Sequence, residues 1–317
     1  MTRTRESVIA VVGGILLVIP FLFGPMIAAQ FPGLVLLGAY VLPVVFLVAN
    51  MVQLTWHDVP IIGYPRWVRI LVPVYFGLAM LIVWEGVATY FEVPPVILPA
   101  PSVIGAKIAT SLPILWTDFA QTVLKGAIPG FLIGAGAAFV TAIAIDRSPF
   151  LQRGLLPIGN FVAALPIVGL APILVMWFGF DWQSKAAVVV VMVFFPILVN
   201  LVAGLQAADR MQRDLMATWG ASYWQALWKL RLPAAMPFLF NGLKIASTLA
   251  LIGAIVAEFF GSPVYGMGFR ISTEVGRLGL DMVWAEIAVA ALAGSALYGL
   301  ITLIERGVTF WHPSQRQ

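Results

Sequence analysis

The chain of 317 residues is 61% hydrophobic and only 10% charged, with a mean hydropathy of +0.99. A soluble domain carries ~25% charged residues, so 18 basic and 14 acidic side chains are too few to cover a water-soluble protein of this length. Composition therefore excludes a globular cytosolic enzyme, a disordered chain and a nucleic-acid-binding protein, despite the net charge of +4. The chain has no cysteine, which excludes disulfides and thiolate metal sites, and its two histidines are too far apart in sequence to indicate a histidine metal cluster.

Eight apolar stretches reach the roughly 20 residues that a helix needs to cross a membrane. They are residues 8–29, 33–53, 67–90, 122–145, 155–179, 186–206, 239–260 and 283–305. The first stretch follows Arg3 and Arg5 and ends in Ile27-Ala28-Ala29, so it also has features of a cleaved signal peptide. Its apolar run is longer than the roughly 7–15 residues of a signal-peptide core, which favours a retained helix.

The basic residues predict how these spans are oriented, because cytoplasmic loops of membrane proteins carry an excess of Lys and Arg. With the N-terminus in the cytoplasm, the larger set of basic residues falls on the cytoplasmic side: Arg3, Arg5, Arg66, Arg69, Arg147, Arg153, Arg210, Arg213, Lys229, Arg231, Lys244, Arg306 and Arg316. The smaller set falls on the outer side: Lys107, Lys125, Lys185, Arg270 and Arg277. We therefore predict eight spans with both termini in the cytoplasm.

Two of the predicted outer segments are more than simple connectors. Residues 91–118 begin with a proline-rich, stiff stretch, after which Ser102 is expected to cap a short helix from Val103 to about Leu112. Residues 261–282 are predicted to form an outer loop that carries Arg270, Glu274 and Arg277.

One predicted span carries a small residue at every fourth position. Gly126, Gly130 and Gly134 begin this series, which Ala138 and Ala142 continue. On a helix these residues form a smooth ridge that another helix can approach closely. The ridge fits either static packing or a contact that slides during a transport cycle.

Prolines and acidic residues within the spans are candidates for a transport pathway, and we single out Pro166 and Glu258. A proline frees carbonyl groups that a neighbouring helix or water can satisfy, although it also produces ordinary kinks. A buried charge normally faces a cavity or a partner, but Glu85, Glu258 and Glu286 lie near span ends, where they could reach the membrane surface. No chain of acidic residues runs through the spans, which weakens a proton-coupled mechanism.

Motifs that would indicate catalysis are missing from the sequence. It contains no G-x-x-x-x-G-K-[ST] phosphate loop, no G-x-S-x-G elbow and no H-E-x-x-H pair. We therefore expect no enzymatic activity, no bound metal and no nucleotide or other cofactor held by this chain.

The predicted cytoplasmic segment 207–235 shows a helix–turn–helix pattern. Gly220 can adopt the left-handed conformation that ends a first helix, and Ser222 with Gln225 forms a capping-box pattern that starts a second. Pro233 is expected to end that second helix. Several large side chains are expected to be exposed: Met216, Trp219, Tyr223, Trp224 and Trp228. Such a pair fits either a position on lipid headgroups or the groove of a soluble partner.

This segment resembles the loop by which permeases of bacterial ABC importers dock onto their ATPases. The family pattern is E-A-A-x-x-x-G, nine residues, then I-x-L-P. Here Asp214 takes the place of Glu, Leu215 and Met216 replace the two alanines, and the glycine, leucine and proline match. The resemblance implies that these residues form the docking loop: Asp214, Ala217, Gly220, Ser222, Leu230, Leu232 and Pro233.

The resemblance covers about residues 67–317. The segments Leu98-Pro99-Ala100-Pro101-Ser102-Val103, Trp177-Phe178-Gly179 and Phe195-Pro196-Ile197 are similar to those of the nitrate/sulfonate/taurine branch. It implies an all-α polytopic fold, with a six-span type I importer core in residues 67–317 and an extra two-span hairpin in residues 1–66. We therefore expect a multi-pass permease of the bacterial inner membrane.

The same resemblance implies the partners and the substrate class. A permease of this family pairs, usually with a second copy of itself, binds ATPase subunits that hold ATP and Mg²⁺, and receives its solute from a periplasmic or lipid-anchored binding protein. The branch carries small anions such as nitrate and sulfonates, and vitamin or pyrimidine precursors. The alternatives are an ion-coupled secondary transporter, in which segment 207–235 lies on lipid, and a membrane scaffold without transport.

Overall fold

The computed structural model describes residues 66–163, 165–261 and 264–311, and every regular element in them is a helix. The predicted hairpin of residues 1–66 and the predicted cytoplasmic termini lie outside the described residues. Four described helical rods are long and apolar enough to cross a membrane, which agrees with the composition. The chain divides into two compact units, residues 1–109 and 110–317.

The described part of the first unit contains two helices, α1 (Arg66–Tyr90) and α2 (Pro101–Thr110). Helix α1 coincides with the predicted third span. The prediction for Ser102 was wrong, because α2 already begins at Pro101 and Ser102 lies within its first turn. The backbone N–H and the hydroxyl of Ser102 instead donate to the carboxylate of Glu85, at 2.9 and 2.6 Å. Glu85 is buried against α2 and has not reached the surface.

The described helices of the second unit follow in chain order, with two π-helical turns inside continuous rods. They are α3 (Leu112–Phe119), a π turn (Ala120–Ala127), α4 (Ile128–Arg147), α5 (Pro149–Ala163), α6 (Ile167–Phe178), α7 (Trp182–Gln206), α8 (Arg210–Thr218), α9 (Tyr223–Ala226), a π turn (Leu227–Arg231), α10 (Leu232–Phe260), α11 (Met267–Gly276) and α12 (Leu280–Val308).

Both π turns come immediately before a proline in the first turn of the next α-helix. Pro129 follows the first turn and Pro233 follows the second. Proline has no N–H and its ring collides with the preceding helical turn, and the wider π geometry leaves room for it. The prediction that Pro233 ends the second short helix was therefore wrong. The helix passes through this position and forms one rod of 38 residues from Tyr223 to Phe260.

The predicted span 155–179 is interrupted in the structure. Helix α5 ends at Ala163, and α6 begins at Ile167 after Pro166 in an extended conformation (φ −68°, ψ 113°). A proline disfavours the helical region for the residue before it, and here the chain leaves the helix at Leu165 and Pro166. The structure therefore contains two shorter helices where one was predicted.

Helix α7 forms the centre of the second unit, where it packs mainly against α10 and α4. The contact consists of small and β-branched side chains that are almost completely buried: Ala138, Ala142, Val189, Val193, Ile197, Ala246 and Ala250. Helices α4 and α7 run in the same direction, and α10 runs opposite to both. The C-terminal ends of α4 and α7 therefore meet the N-terminal end of α10, and we call this the loop end of the bundle.

The opposite end, which we call the far end, contains the segment that was predicted to be an outer loop. The structure shows that residues 261–282 include the ten-residue helix α11, so the description as a loop was wrong. Helix α11 packs against α10 and α12. Its fully buried Met267 anchors it to a small apolar cluster with Val123, Leu251 and Ala290.

Candidate functional site

Helix α8 in the 207–235 segment is bounded by two local caps. The carboxylate of Asp209 accepts a hydrogen bond from the N–H of Met211 at 2.8 Å and caps the first turn. At the other end, Gly220 has a φ of +67°. The N–H of Gly220 donates to Ala217 and that of Ala221 donates to Met216, each at 3.0 Å. These two bonds form a Schellman motif, so the predicted role of Gly220 in ending the helix is confirmed.

A capping box starts α9, as the sequence predicted. The hydroxyl of Ser222 accepts from the N–H of Gln225 at 3.4 Å, and the side chain of Gln225 accepts from the N–H of Ser222 at 2.8 Å. These two bonds satisfy N–H groups that a helix start leaves unpaired. The turn between α8 and α9 is therefore held by local contacts at both sides.

The exposed surface of the segment is rich in large apolar side chains. None of the residues of α8 is buried. The side chains of Met211 and Trp219 are 79% and 76% exposed, and Leu215, Trp224 and Trp228 are also exposed. The expectation was wrong for Met216 and Tyr223, which are half-buried. An exposed apolar set of this size among charged residues indicates a surface that is covered in the working protein.

The seven residues that the resemblance assigned to docking divide into two groups. Asp214, Ala217, Gly220 and Ser222 are exposed on α8 and the following turn. The remaining residues pack toward the bundle: Leu230 and Pro233 are half-buried and Leu232 is buried. The first group can contact a partner, and the second attaches the segment to the membrane-spanning rods.

A charged cluster at the loop end binds this segment to the rods. Arg231 donates from Nη1 to Asp146 at 2.8 Å and from Nη2 to the other oxygen of the same carboxylate. It also donates to the carbonyl of Leu205 from Nε at 3.1 Å. The hydroxyl of Tyr223 donates to Asp146 at 2.8 Å, and the guanidinium of Arg147 lies 5.4 Å from the Tyr223 ring centroid.

This cluster was not predicted from the sequence. Tyr223 and Arg231 follow Asp146 by 77 and 85 residues, so no local pattern joins them to it. The sequence does show that Asp146 directly follows the apolar stretch 122–145, in which no other side chain is an acceptor of comparable strength. This position could have marked Asp146 as a carboxylate in need of a partner. A buried carboxylate requires a partner, but the sequence does not say which arginine supplies it.

At the far end, Glu258 is 1% exposed and has two hydrogen-bond donors within reach of its carboxylate. The hydroxyl of Thr122 lies 2.9 Å from both of its oxygens, and the N–H of Gly268 lies 2.8 Å from one. The same Thr122 oxygen accepts from the N–H of Met267 at 2.8 Å. Glu258 therefore holds the start of α11 against the rods, and its carboxylate is buried within the protein.

Further charged groups surround this contact. Asp118 is fully buried and accepts from the N–H of Gly266 at 2.7 Å and from Nε of Arg270 at 2.8 Å. Burial lowers the pKa of Arg270, but the hydrogen bond and charge of Asp118 outweigh it and raise that pKa overall. Glu286 is also fully buried, and its two oxygens have no hydrogen-bond partner among the described residues. Lys185 donates to the carbonyl of Phe180.

The two candidate pathway residues have different surroundings in the structure. Glu258 belongs to this buried polar cluster, whereas Pro166 is exposed at the break before α6. The described residues contain no group of three or more His, Cys, Asp or Glu side chains arranged to hold a metal ion. The cluster therefore consists of carboxylates paired with hydroxyl, amide and guanidinium donors.

The glycine ridge lies in the contact between the α3–α4 rod and α7. A Cβ atom on Gly130 would lie 2.6 Å from Cβ of Val189 and 2.8 Å from the carbonyl oxygen of Ala186. A Cβ on Gly134 would lie 2.4 Å from Val193, whereas one on Gly126 would lie 3.2 Å from Cβ of Lys185. The close approach expected from the spacing is therefore present in the structure.

Comparison with known proteins places this architecture in a family. Residues 130–310 match the family described as the binding-protein-dependent transport system inner membrane component. A probable ABC transporter permease protein of Haemophilus influenzae is 32% identical over 73% of this chain and 94% of its own length. The riboflavin transport system permease protein of Chloroflexus aurantiacus is 30% identical over 78% of this chain and 92% of its own. The taurine transport system permease protein of Escherichia coli is 28% identical over 74% and 86%. The chain belongs to the family of binding-protein-dependent transport inner membrane components and is a permease of an ABC importer in the inner membrane.

Proposed function

We propose that helix α8 and the turn at Gly220 form the surface on which an ATP-hydrolysing subunit docks. The observation that carries this proposal is the exposure of α8, none of whose residues is buried although caps hold both of its ends. An apolar helix face exposed in this way fits a groove on a partner protein. The caps give the helix one fixed orientation before the partner binds, which lowers the entropy lost on docking.

In the proposed assembly, this chain pairs with a second permease copy and two ATPase subunits dock at the loop end. A solute-binding protein delivers substrate at the far end. ATP and Mg²⁺ are held by the ATPase, and this chain contributes the path and the docking surface. Closure of the ATPase pair on ATP moves the docked loops and shifts the permease between two conformations.

We propose a small polar or anionic solute as the substrate. Relatives are described as permeases for riboflavin, formylaminopyrimidine, taurine, aliphatic sulfonates and bicarbonate. The two arginines of the predicted outer segment would suit an anion by charge, but Arg270 is paired with the buried Asp118, and the exposed Arg277 lies 3.7 Å from Glu274. The choice among solutes therefore rests on uptake measurements with these compounds in cells that express the whole importer.

Substitution of Gly220 tests the docking proposal. A Cβ at this position meets no atom within 4 Å, so a side chain here acts through the backbone alone. Valine tolerates the observed φ poorly, at a cost of about 2 kcal/mol, while asparagine adopts it readily. We expect Gly220→Val to lose most of the ATPase that co-purifies with the membrane complex, and Gly220→Asn to retain it.

The charge reversal Asp214→Lys provides a second perturbation on the same exposed surface, without backbone strain. We expect it to reduce ATPase retention as well, because it reverses a charge at the contact. Full retention of the ATPase in both Gly220→Val and Asp214→Lys would contradict docking at α8. The ATPase would then contact this chain elsewhere, and the alternative in which segment 207–235 lies on lipid headgroups would be favoured.

A further inference from the structure

The two halves of the 207–235 segment differ in how they contact the bundle. Helix α8 has no buried residue, whereas the following α9 and π turn contain the fully buried Leu227. A movement of α8 is therefore transmitted to the bundle along the chain, through Gly220 and then α9. The apolar contact of Leu227 resists separation, but such contacts are not directional.

The hydrogen bonds around Asp146 are directional, and they fix the orientation of the segment relative to the rod ends. This carboxylate belongs to the last turn of α4, its side chain is 6% exposed, and that of Arg231 is 15% exposed. Arg231 also binds the carbonyl of Leu205 at the end of α7 and stands directly before α10. One guanidinium therefore links the ends of all three central rods, with the planar geometry that suits a carboxylate.

Tyr223 connects the loop itself to this linkage. It lies in the first turn of α9, just after the capped turn that follows α8, and its hydroxyl donates to Asp146 at 2.8 Å. Arg147 stacks on the rings of Tyr223 and Trp224, at 5.4 and 5.7 Å from their centroids. Two adjacent residues at the end of α4, Asp146 and Arg147, thereby fix the orientation of α9.

We infer that Asp146, Tyr223 and Arg231 form a coupling joint that makes the 207–235 segment and the loop ends of α4, α7 and α10 move as one body. This inference rests on the proposed docking of an ATPase at α8. Asp146 and Tyr223 act as positioning residues, since they transmit the position of the docked helix and do not contact solute or nucleotide. Without the joint, α8 moves with the docked ATPase but the ends of α4, α7 and α10 do not move with it.

The test measures a distance across the joint in the complex with its ATPase. The chain has no cysteine, so spin labels can be attached at Gln212→Cys on α8 and Ala144→Cys on α4, both at exposed positions. The distance between the labels is measured by pulsed electron paramagnetic resonance without nucleotide and after trapping with ATP and vanadate. With the joint intact, we expect the same mean distance and width in both states.

The variant Tyr223→Phe removes the hydroxyl and leaves the Asp146–Arg231 pair in place. We expect it to retain the ATPase and to show a shifted and broader distance in the trapped state, and we expect Tyr298→Phe, an exposed tyrosine on α12, to behave as the parent. Asp146→Asn, which also removes the charge that holds Arg231, should produce a larger shift.

Three outcomes would overturn the joint: a distance that changes on trapping in the parent protein, a trapped-state distance in Tyr223→Phe equal to that of the parent, or loss of the ATPase from Tyr223→Phe. The last outcome would place Tyr223 in the docking surface. Failure of the docking proposal is distinguishable, because Gly220→Val and Asp214→Lys would then both retain the ATPase in full, whatever distance Tyr223→Phe shows.

Discussion

The close contact between α4 and α7 at Gly130 gives a sharp test of the packing, through the substitution Gly130→Ala. The added Cβ would lie 2.6 Å from Cβ of Val189 and 2.8 Å from the carbonyl oxygen of Ala186. Nonbonded carbon atoms prefer a separation of about 3.5–4.0 Å. Neither contacted atom can rotate away, since one belongs to the backbone and the other is the Cβ of a fully buried residue. Helices α4 and α7 must therefore separate by about 1 Å.

The expected cost follows from two opposing effects. Overpacking of a well-packed contact costs about 1–3 kcal/mol, whereas replacing glycine by alanine within a helix gains up to about 1 kcal/mol. We therefore expect Gly130→Ala to lower stability by about 1–2 kcal/mol. The matched control is Gly136→Ala on the same helix, where the added Cβ meets no atom within 4 Å. This control retains the helix-propensity gain without the collision.

Thermal unfolding of the purified protein in detergent measures the difference between the two variants. We expect the midpoint of Gly130→Ala to lie a few degrees below that of the parent, and the midpoint of Gly136→Ala to be equal or higher. Equal midpoints for the two variants would refute the packing argument, because they would show that α4 and α7 do not approach each other closely at Gly130.

Two further predictions concern the topology and the far end. Cysteines at Ser222 and Val264, placed singly in the cysteine-free chain, should react with an impermeant reagent from opposite sides of the membrane; labelling of both from outside would exclude the predicted orientation. Gly266 has a φ of +130°, and a Cβ there would lie 2.5 Å from the carboxylate of Glu258. Gly266→Ala should therefore unfold at a lower temperature than Gly276→Ala, whose Cβ meets nothing within 4 Å, and equal midpoints would mean that the turn before α11 is not held by Glu258.

Features that depend on neighbours along the chain could be predicted from the sequence. The turn at Gly220 and the capping box of Ser222 and Gln225 involve residues within a few positions of one another, and both are present in the structure. The same holds for long apolar stretches, because a helix satisfies its own backbone in lipid. The resemblance of the 207–235 segment to a docking loop rested on such local spacing, and the family match is consistent with it.

The effect of a proline was the point at which local reasoning failed. Pro166 interrupts a predicted span, yet Pro233 is accommodated within a continuous rod. The residue type is the same at both positions. At Pro233 a π turn precedes the ring, and the buried Leu227 and Leu232 hold that turn against the bundle. Packing of this kind decides whether a helix continues, and the sequence pattern does not contain it.

Composition, helix length and caps follow from residues close in the chain, so the sequence was enough to predict a polytopic helical membrane protein with a capped, exposed loop of the importer type. The pairing of the buried charges, in contrast, follows from the tertiary packing. Asp146 pairs with Arg231, which is 85 residues away in the chain, and Thr122 binds Glu258, which is 136 residues away. A carboxylate buried in a low-dielectric interior must have a donor, but the donor is selected by which rod ends the packing brings together, and that selection depends on the whole bundle.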